Sequence, residues 1–309
     1  MLIAGALWAL SESRADDIPR RLDAPGALMV TAGLAVLVYG IVSTSTHPWC
    51  SPRTISLLAL GVGLLGAFAL IEARFAEHPL VPLGMFRRSL TVANSAAIAL
   101  GVAPFALFFF LSLYLQQING YTPLRAGLAF LPIGLSSLVA AQSAPRLMAR
   151  LGVRKQLVIG LLLFAGGMMW AAQLSPGDSY WASVFRPELL AGVGLGISLV
   201  PVTFGAMAGV PASQAGLASG VLNTTRQLGG AVGLAAMATV AAAVHPHSLS
   251  HYAVVAALSS GYDRAFAVTA GVLVAGALVS LLLPAQLGTA RADAPTEERS
   301  GPTRQPSRA

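Results

Sequence analysis

Charged side chains are scarce in this sequence. Of its 309 residues, 10% are Asp, Glu, Lys or Arg, whereas 55% are hydrophobic and 32 are glycine. Soluble domains carry about a quarter charged residues, so a cytosolic enzyme is excluded. The few charges fall between long apolar runs, which predicts a protein embedded in the lipid bilayer.

Cysteine is nearly absent as well. Cys50 is the single cysteine, so the chain is not a secreted domain held together by disulfides. The sequence also lacks a glycine-rich phosphate-binding pattern and a converging set of nucleophile, base and metal ligands. We interpret His245, His247 and His251 as polar residues of one outer loop. No cofactor, metal ion or enzymatic activity is predicted.

Eight apolar stretches are long enough to cross a bilayer, which takes about 20 helical residues. They are residues 24–43, 54–71, 92–115, 126–144, 156–174, 189–208, 214–241 and 265–284. The predicted fold class is therefore all-α, a polytopic membrane protein. Residues 285–309 are rich in Pro, Thr, Arg and acids, which predicts a disordered tail.

Basic residues are distributed unevenly between the loops. The net charge is +7, and fourteen of the nineteen Lys and Arg residues fall in one set of alternating loops, against four in the other. Lys and Arg concentrate on the cytoplasmic side of membrane proteins. This asymmetry predicts a bacterial-type inner (plasma) membrane protein with a cytoplasmic C-terminus. The charge orients the chain, so no nucleic-acid partner is predicted.

Residues 1–11 are too short for a membrane span. Ten helical residues reach about 15 Å, half of the roughly 30 Å hydrocarbon core. No basic residue precedes the apolar stretch, which argues against a signal peptide. We interpret the segment as the remnant of a membrane helix whose first part is absent, and expect the chain to be truncated.

Several motifs together resemble the C-terminal portion of a known family. They are the segment 120–132 with Gly-Tyr-Thr-Pro-Leu-Arg-Ala-Gly, the basic loop 146–155, the glycine repeat 192–196, and the block 214–230 with Gln-Ala-Gly-Leu-Ala-Ser-Gly-Val-Leu-Asn-Thr-Thr-Arg-Gln. These stretches resemble a major facilitator superfamily transporter, specifically the fourteen-helix drug:proton antiporter branch. The resemblance implies two extra inter-bundle helices in residues 12–89 and a C-terminal six-helix bundle in residues 90–284.

The basic loop departs from the family pattern Gly-x-Leu-x-Asp-Arg-x-Gly. Ala149 stands at the acid position and Pro145 at the first glycine. We therefore expect the loop to orient the chain rather than interlock with a neighbour. The loop residues concerned are Arg146, Arg150, Gly152, Arg154 and Lys155.

One predicted helix carries a polar stripe. Ser219, Asn223, Arg226 and Gln227 recur at helical spacing on one face. Lipid cannot satisfy such a face, so it must meet protein or a water-filled cavity. Arg226, the only charged residue well inside a predicted span, contacts substrate in one interpretation. In the other it snorkels or binds carbonyl groups structurally.

An aromatic face on residues 92–115 is the second candidate. Phe105, Phe109, Ser112 and Gln116 share one side of the helix, which suits stacking with lipophilic cations or neutral drugs. Simple helix packing is the alternative. Glycines four residues apart permit close helix packing and could also act as hinges; the pairs are Gly192/Gly196, Gly216/Gly220 and Gly229/Gly233.

The resemblance implies proton-coupled efflux of lipophilic drugs or other small molecules by alternating access. We expect the chain to be inactive alone because the N-terminal bundle is missing. All twelve acids are predicted in loops or at helix edges, with Asp178, Glu188 and Asp263 outside, so proton binding would depend on the missing half. The alternative is a membrane companion subunit that pairs with a separate N-terminal half.

Overall fold

The fold is taken from a computed structural model, which describes residues 24–45, 47–74, 88–175, 177–211, 214–244 and 250–284. Three sequence predictions lie outside these residues: the remnant helix 1–11, the tail 285–309 and part of the histidine loop. Every regular element within the described residues is helical. The predicted all-α class is confirmed.

Eight α-helices follow one another along the described residues. They are α1 (Ala24–Val42), α2 (Pro52–Arg74), α3 (Arg88–Leu113), α4 (Pro123–Ala129), α5 (Leu131–Ala171), α6 (Arg186–Met207), α7 (Ala215–Ala242) and α8 (His251–Ser280). Wider π-helical turns extend two of them, Tyr114–Ile118 after α3 and Trp181–Phe185 before α6. The short helix α4 begins at Pro123, where the Thr122 side chain accepts a hydrogen bond from the Arg125 amide.

Five of the described helical segments are long and apolar enough to cross a membrane. They are Pro52–Glu72, Arg88–Ile118, Pro123–Ala171, Trp181–Met207 and Tyr252–Ser280, and Gly26–Ile41 is a shorter apolar helix. The sequence predicted eight spans. Two of these, 126–144 and 156–174, fall mostly within one helical element, α5, although residues 126–129 belong to α4 and residues 172–174 follow the end of α5. The predicted span 214–241 is absent from the set because the polar stripe lowers the apolar content of α7.

The last span also differs from its prediction. Helix α8 begins at His251, fourteen residues before the predicted start at 265, because the Ser250 side chain caps it by accepting a hydrogen bond from the Ala253 amide. Asp263 and Arg264 consequently lie inside a helix. The prediction that Arg226 is the only charge well inside a span, with all acids in loops or at helix edges, is therefore wrong.

Helix α5 is broken at one residue, Gly152, with φ of 76° and ψ of 163°. This region of backbone conformation is open essentially to glycine alone, because a Cβ atom would clash there. We call residues 131–151 the first arm of α5 and residues 153–171 its second arm.

The two arms run in opposite directions, as their contacts with α6 demonstrate. Along the first arm, Ile133 lies against Gly192 and Ser137 against Gly196, so both residue numbers rise together. Along the second arm, Gly167 lies against Ala191, whereas Gly160, seven residues earlier, lies further along α6 against Ser198. Helix α6 therefore packs on both arms of a hairpin that turns at Gly152.

Helix α3 is central to the hydrophobic core. Phe110 and Tyr114 of α3 and its π-helical extension are fully buried, together with Phe164 of the second arm and Phe266 of α8. At the end of α3, the Tyr114 hydroxyl donates a hydrogen bond of 2.7 Å to the Ser175 carbonyl. The core thus holds one side of α3 against its neighbours and leaves the side with Phe105 and Phe109 partly exposed.

Candidate functional site

Helices α3 and α7 form the seam along which the candidate residues lie. Gly229 lies against Ile98 and Gly233 against Val102. From the other side, Gly101 lies directly against the backbone carbonyl of Arg226. Glycine permits such backbone contact because it has no side chain. The glycines of this seam therefore occupy packing positions.

An apolar cavity of about 600 Å³ opens beside this seam. Its lining residues are Pro104, Phe105, Phe108, Phe109, Ser112, Leu113 and Leu234. Phe105 and Phe109 are each 42% exposed, so their rings are available for contact. The volume falls in the usual range for small-molecule sites, about 300–1,000 Å³. Three sequence candidates, Phe105, Phe109 and Ser112, thus share one cavity wall.

A second cavity, of about 740 Å³, shares Phe105 and Phe109 and continues towards α1. Ile41, Thr44 and Trp49 line it on that side. The Trp49 indole N–H donates a hydrogen bond of 2.8 Å to the Thr239 hydroxyl of α7. The connection between α1 and α2 is thereby attached to α7, and the hairpin α1–α2 supplies a wall of this cavity.

Local contacts hold the cavity wall in place. A methyl group on Gly230 would lie 2.7 Å from the Phe105 ring, so the glycine seats that ring directly on α7. The Gln116 side-chain amide donates a hydrogen bond of 2.7 Å to the Ser112 hydroxyl. Gln116 therefore acts on the cavity edge through Ser112.

The polar stripe of α7 lies on an uncovered face. Ser219, Asn223 and Gln227 are exposed among the described residues, and Arg226 is partly exposed. The Arg226 guanidinium donates a hydrogen bond of 2.9 Å to the Asn223 side-chain oxygen. Arg226 lies one helical turn before Gly230, which contacts the Phe105 ring, but Arg226 itself lines neither cavity. The positive charge and the aromatic wall follow one another along a single seam.

The sequence matches a family model over residues 18–234, and that model describes the Major Facilitator Superfamily. The chain belongs to the major facilitator superfamily. It is similar to the cephamycin export protein CmcT of Amycolatopsis lactamdurans, with 36% identity over 267 residues, covering 86% of this chain and 54% of that protein. It is similar to the puromycin resistance protein pur8 of Streptomyces alboniger, with 36% identity over 277 residues, covering 85% and 54%.

A further relative is the tetracenomycin C resistance and export protein of Streptomyces glaucescens, 31% identical over 78% of this chain and 44% of that protein. The chain spans about half the length of the curated relatives it matches. Its family membership makes it a multi-pass membrane protein related to drug-efflux proteins. The prediction that it is not an enzyme is confirmed by this membership.

The three glycine pairs of this facilitator chain have different surroundings. Gly192 and Gly196 contact the first arm of α5 so closely that no side chain fits between the backbones. For Gly216 and Gly220, by contrast, nothing among the described residues lies within 4 Å of the position that a Cβ atom would take. A spacing of four residues between glycines therefore does not by itself show whether a helix packs at that position.

The basic loop motif surrounds the break in α5. Arg146 and Arg150 close the first arm, Gly152 forms the turn, and Arg154 and Lys155 open the second arm. Arg146, Arg150 and Lys155 are exposed. The motif is thus a tight turn between the two arms of α5, with basic side chains before and after Gly152. Within the described residues, no group of three His, Cys, Asp or Glu side chains could hold a metal ion.

Sequence reasoning missed a buried acid in this facilitator fold. Glu188 was predicted in a loop or at a helix edge on the outer side of the membrane; it is 0% exposed and lies inside the continuous helical segment Trp181–Met207. The sequence did contain a signal, since the aromatic and apolar stretch 181–185 extends the helix backwards. Asp263 is partly exposed and lines a smaller cavity together with Ile118 and Leu174. It therefore lies near the ends of α3 and α5.

Proposed function

We propose that this chain supplies the C-terminal six-helix bundle and the two extra helices of a fourteen-helix drug:proton antiporter. The substrates would be lipophilic drugs or other small molecules, exported by alternating access. The supporting observation is the apolar cavity that Phe105 and Phe109 line at the seam between α3 and α7. Aromatic rings attract flat lipophilic molecules by stacking and cations by their π faces.

The proposed domain arrangement follows the helices. Residues 12–89 contain the two extra helices, α1 and α2, and residues 90–284 contain the six-helix bundle. Counting the arms of α5 separately, α3, the two arms, α6, α7 and α8 supply the six crossings of that bundle. By the positive-inside rule, we infer that the basic loop at Gly152 is cytoplasmic. Because consecutive crossings alternate in direction, the start of α3 and the chain's C-terminus would then be on the same side.

Binding of a fluorescent lipophilic cation tests the cavity. We expect purified chain in lipid nanodiscs to bind ethidium saturably, because the aromatic wall is partly exposed and large enough for a small molecule. The measurement is fluorescence anisotropy at increasing protein concentration, with empty nanodiscs as the control. Binding that rises linearly and equals that of empty nanodiscs would refute the proposed site.

Transport by the chain alone should be absent. Alternating access moves two bundles against each other around a central site, and this chain spans about half of its relatives' length. We expect liposomes that contain only this chain to show no pH-gradient-driven movement of ethidium above that of empty liposomes. Dye export driven by the gradient from such liposomes would contradict this expectation.

A second candidate function is that of a companion subunit for a separately encoded N-terminal half. The exposed polar face of α7, with Ser219, Asn223 and Gln227, favours a protein neighbour over lipid. The reading frame upstream of Met1 distinguishes the candidates. A continuous frame that encodes the first helices favours one polypeptide, whereas a separate frame for them favours two subunits.

A further inference from the structure

Glu188 lies well inside the helical bundle. The π-helical turn Trp181–Phe185 runs directly into α6, so Glu188 follows seven residues of continuous helix, a distance of about 10 Å. Its side chain is 0% exposed. On the facing helix, the backbone of Ile133 lies beside the carboxyl group without completing a hydrogen bond of ordinary geometry. The acid is therefore enclosed between α6 and the first arm of α5.

Neither carboxyl oxygen of Glu188 has a hydrogen-bond partner among the described residues. Tyr180 is a neighbouring titratable side chain, and its hydroxyl already donates a hydrogen bond of 2.9 Å to the Ala129 carbonyl. Arg186, two residues away, is exposed. The carboxyl group is thus buried without a hydrogen-bond partner among the described residues.

The helices that pack against α6 present no cation to this carboxyl group within the described residues. Their charged groups lie elsewhere: those of α5 surround the turn at Gly152, that of α3 stands at its start, and that of α7 bonds to Asn223. Arg125 of α4 lies over the Tyr121 ring, and α8 carries an acid that lines a cavity with Ile118, followed by an exposed arginine. The residues are Arg146, Arg150, Arg154, Lys155, Arg88, Arg226, Asp263 and Arg264. No ion pair therefore compensates a negative charge at Glu188.

An unpaired carboxylate is strongly disfavoured in an apolar interior. The closed seam between α6 and the first arm therefore accommodates the protonated acid. Ionisation requires that water reach the carboxyl group, which in turn requires the seam to open. One turn beyond Glu188, the seam between α6 and the first arm consists of close contacts, in which Gly192 lies against Ser136.

We propose that Glu188 is a proton-binding group of this chain. It holds its proton while α6 and the first arm of α5 are packed together, and transfers it to water when the seam opens, leaving a hydrated carboxylate. Rebinding of a proton permits the seam to close again. The proposal rests on the proposed proton-coupled function and assigns part of the coupling to this half of the carrier.

Infrared difference spectroscopy of the purified full chain in nanodiscs tests the proposal. We expect a carboxylic-acid C=O band that is present near pH 7, where surface acids are already ionised. The band should shift in D₂O and disappear reversibly as the pH rises towards about 9. Glu188→Gln should abolish it. Asp178→Asn should leave it unchanged, because Asp178 is exposed and accepts a hydrogen bond from the Ser175 amide.

Several results would overturn the assignment. They are the absence of the band near pH 7, its persistence in Glu188→Gln, and a band that never responds to pH, which would indicate a permanently protonated structural acid. If Glu188→Gln does not fold, ¹³C-glutamate labelling of the wild-type chain replaces it, with Glu72→Gln to separate the other buried glutamate. Because these spectra need neither dye nor transport, their outcome is independent of ethidium binding.

Discussion

Gly194→Leu is expected to prevent stable folding of the chain. A Cβ atom at this position would lie 2.6 Å from the Gly160 carbonyl oxygen and 2.8 Å from the Cα of Phe164. These are backbone atoms, so no side chain can rotate to make room. The second arm of α5 would have to move away from α6, and Phe164, which is fully buried, would lose its packing.

Overpacking in a close-packed core costs about 1–3 kcal/mol and sometimes more, which consumes much of the stability of a typical domain. We expect Gly194→Leu to lower the yield of monodisperse protein in size-exclusion chromatography severalfold and to lower the unfolding temperature of what remains. Gly220→Leu is the matched control, because nothing among the described residues lies within 4 Å of its Cβ position. Equal behaviour of the two variants would contradict the packing of α6 on α5.

The double substitution Phe105→Ala, Phe109→Ala is expected to weaken ethidium binding about thirtyfold. Each aromatic contact with a flat cation contributes about 1 kcal/mol, and two such contacts give about 2 kcal/mol, which corresponds to that change in Kd. Both rings line the cavity of about 600 Å³ and the cavity of about 740 Å³. Their removal takes the shared pair of rings away from both of these cavities. The measurement is anisotropy titration in nanodiscs.

The matched control is Trp181→Ala. Trp181 is also an exposed aromatic residue, at 67%, but it clusters with Tyr180 and Phe185 at the start of α6 and lines neither cavity. Its removal should leave the ethidium Kd unchanged. A similar loss in both variants would mean that the dye partitions onto any exposed aromatic ring, and would overturn the assignment of the cavity.

Hydropathy predicted the centres of most helices correctly but placed several of their ends wrongly. The span predicted at 24–43 is α1, which ends at Val42, and the turn at Gly152 falls between the predicted spans 126–144 and 156–174. The start of α8 was missed because its first turns, up to Asp263, mix polar with apolar residues. A search for apolar stretches finds the apolar part of a helix, but it cannot find a start that is set by a polar capping residue such as Ser250.

The same limitation explains the error at Glu188. An acid next to Arg186 and Pro187 is typical of a loop or a first helical turn, and only the helical turn at 181–185 places it deep in the bundle. Glycine spacing had a comparable limit. It predicted close contacts but could not specify a partner, since Gly192 and Gly216 carry the same signal, and only Gly192 faces another backbone.

The candidate site was predictable in part. Helical spacing placed Phe105, Phe109 and Ser112 on one face of α3, and these three residues do line one cavity. The contribution of Trp49 to the neighbouring cavity could not be predicted, because its hydrogen bond to Thr239 joins residues that are far apart in the sequence. The roles of Phe105, Phe109 and Arg226 in substrate binding stay predictions until binding is measured.

The single-residue break in α5 has a mechanical consequence. Gly152 alone joins the two arms, so the arms cannot slide past each other. Any relative motion between them is a rotation about the φ and ψ angles of Gly152. Helix α6 rests on both arms through Gly192 and Gly194. The hairpin and α6 therefore form one packed unit, and the turn of the hairpin carries the cations Arg150 and Arg154. Because no loop separates the arms, a displacement of this turn moves both arms and the helix packed on them.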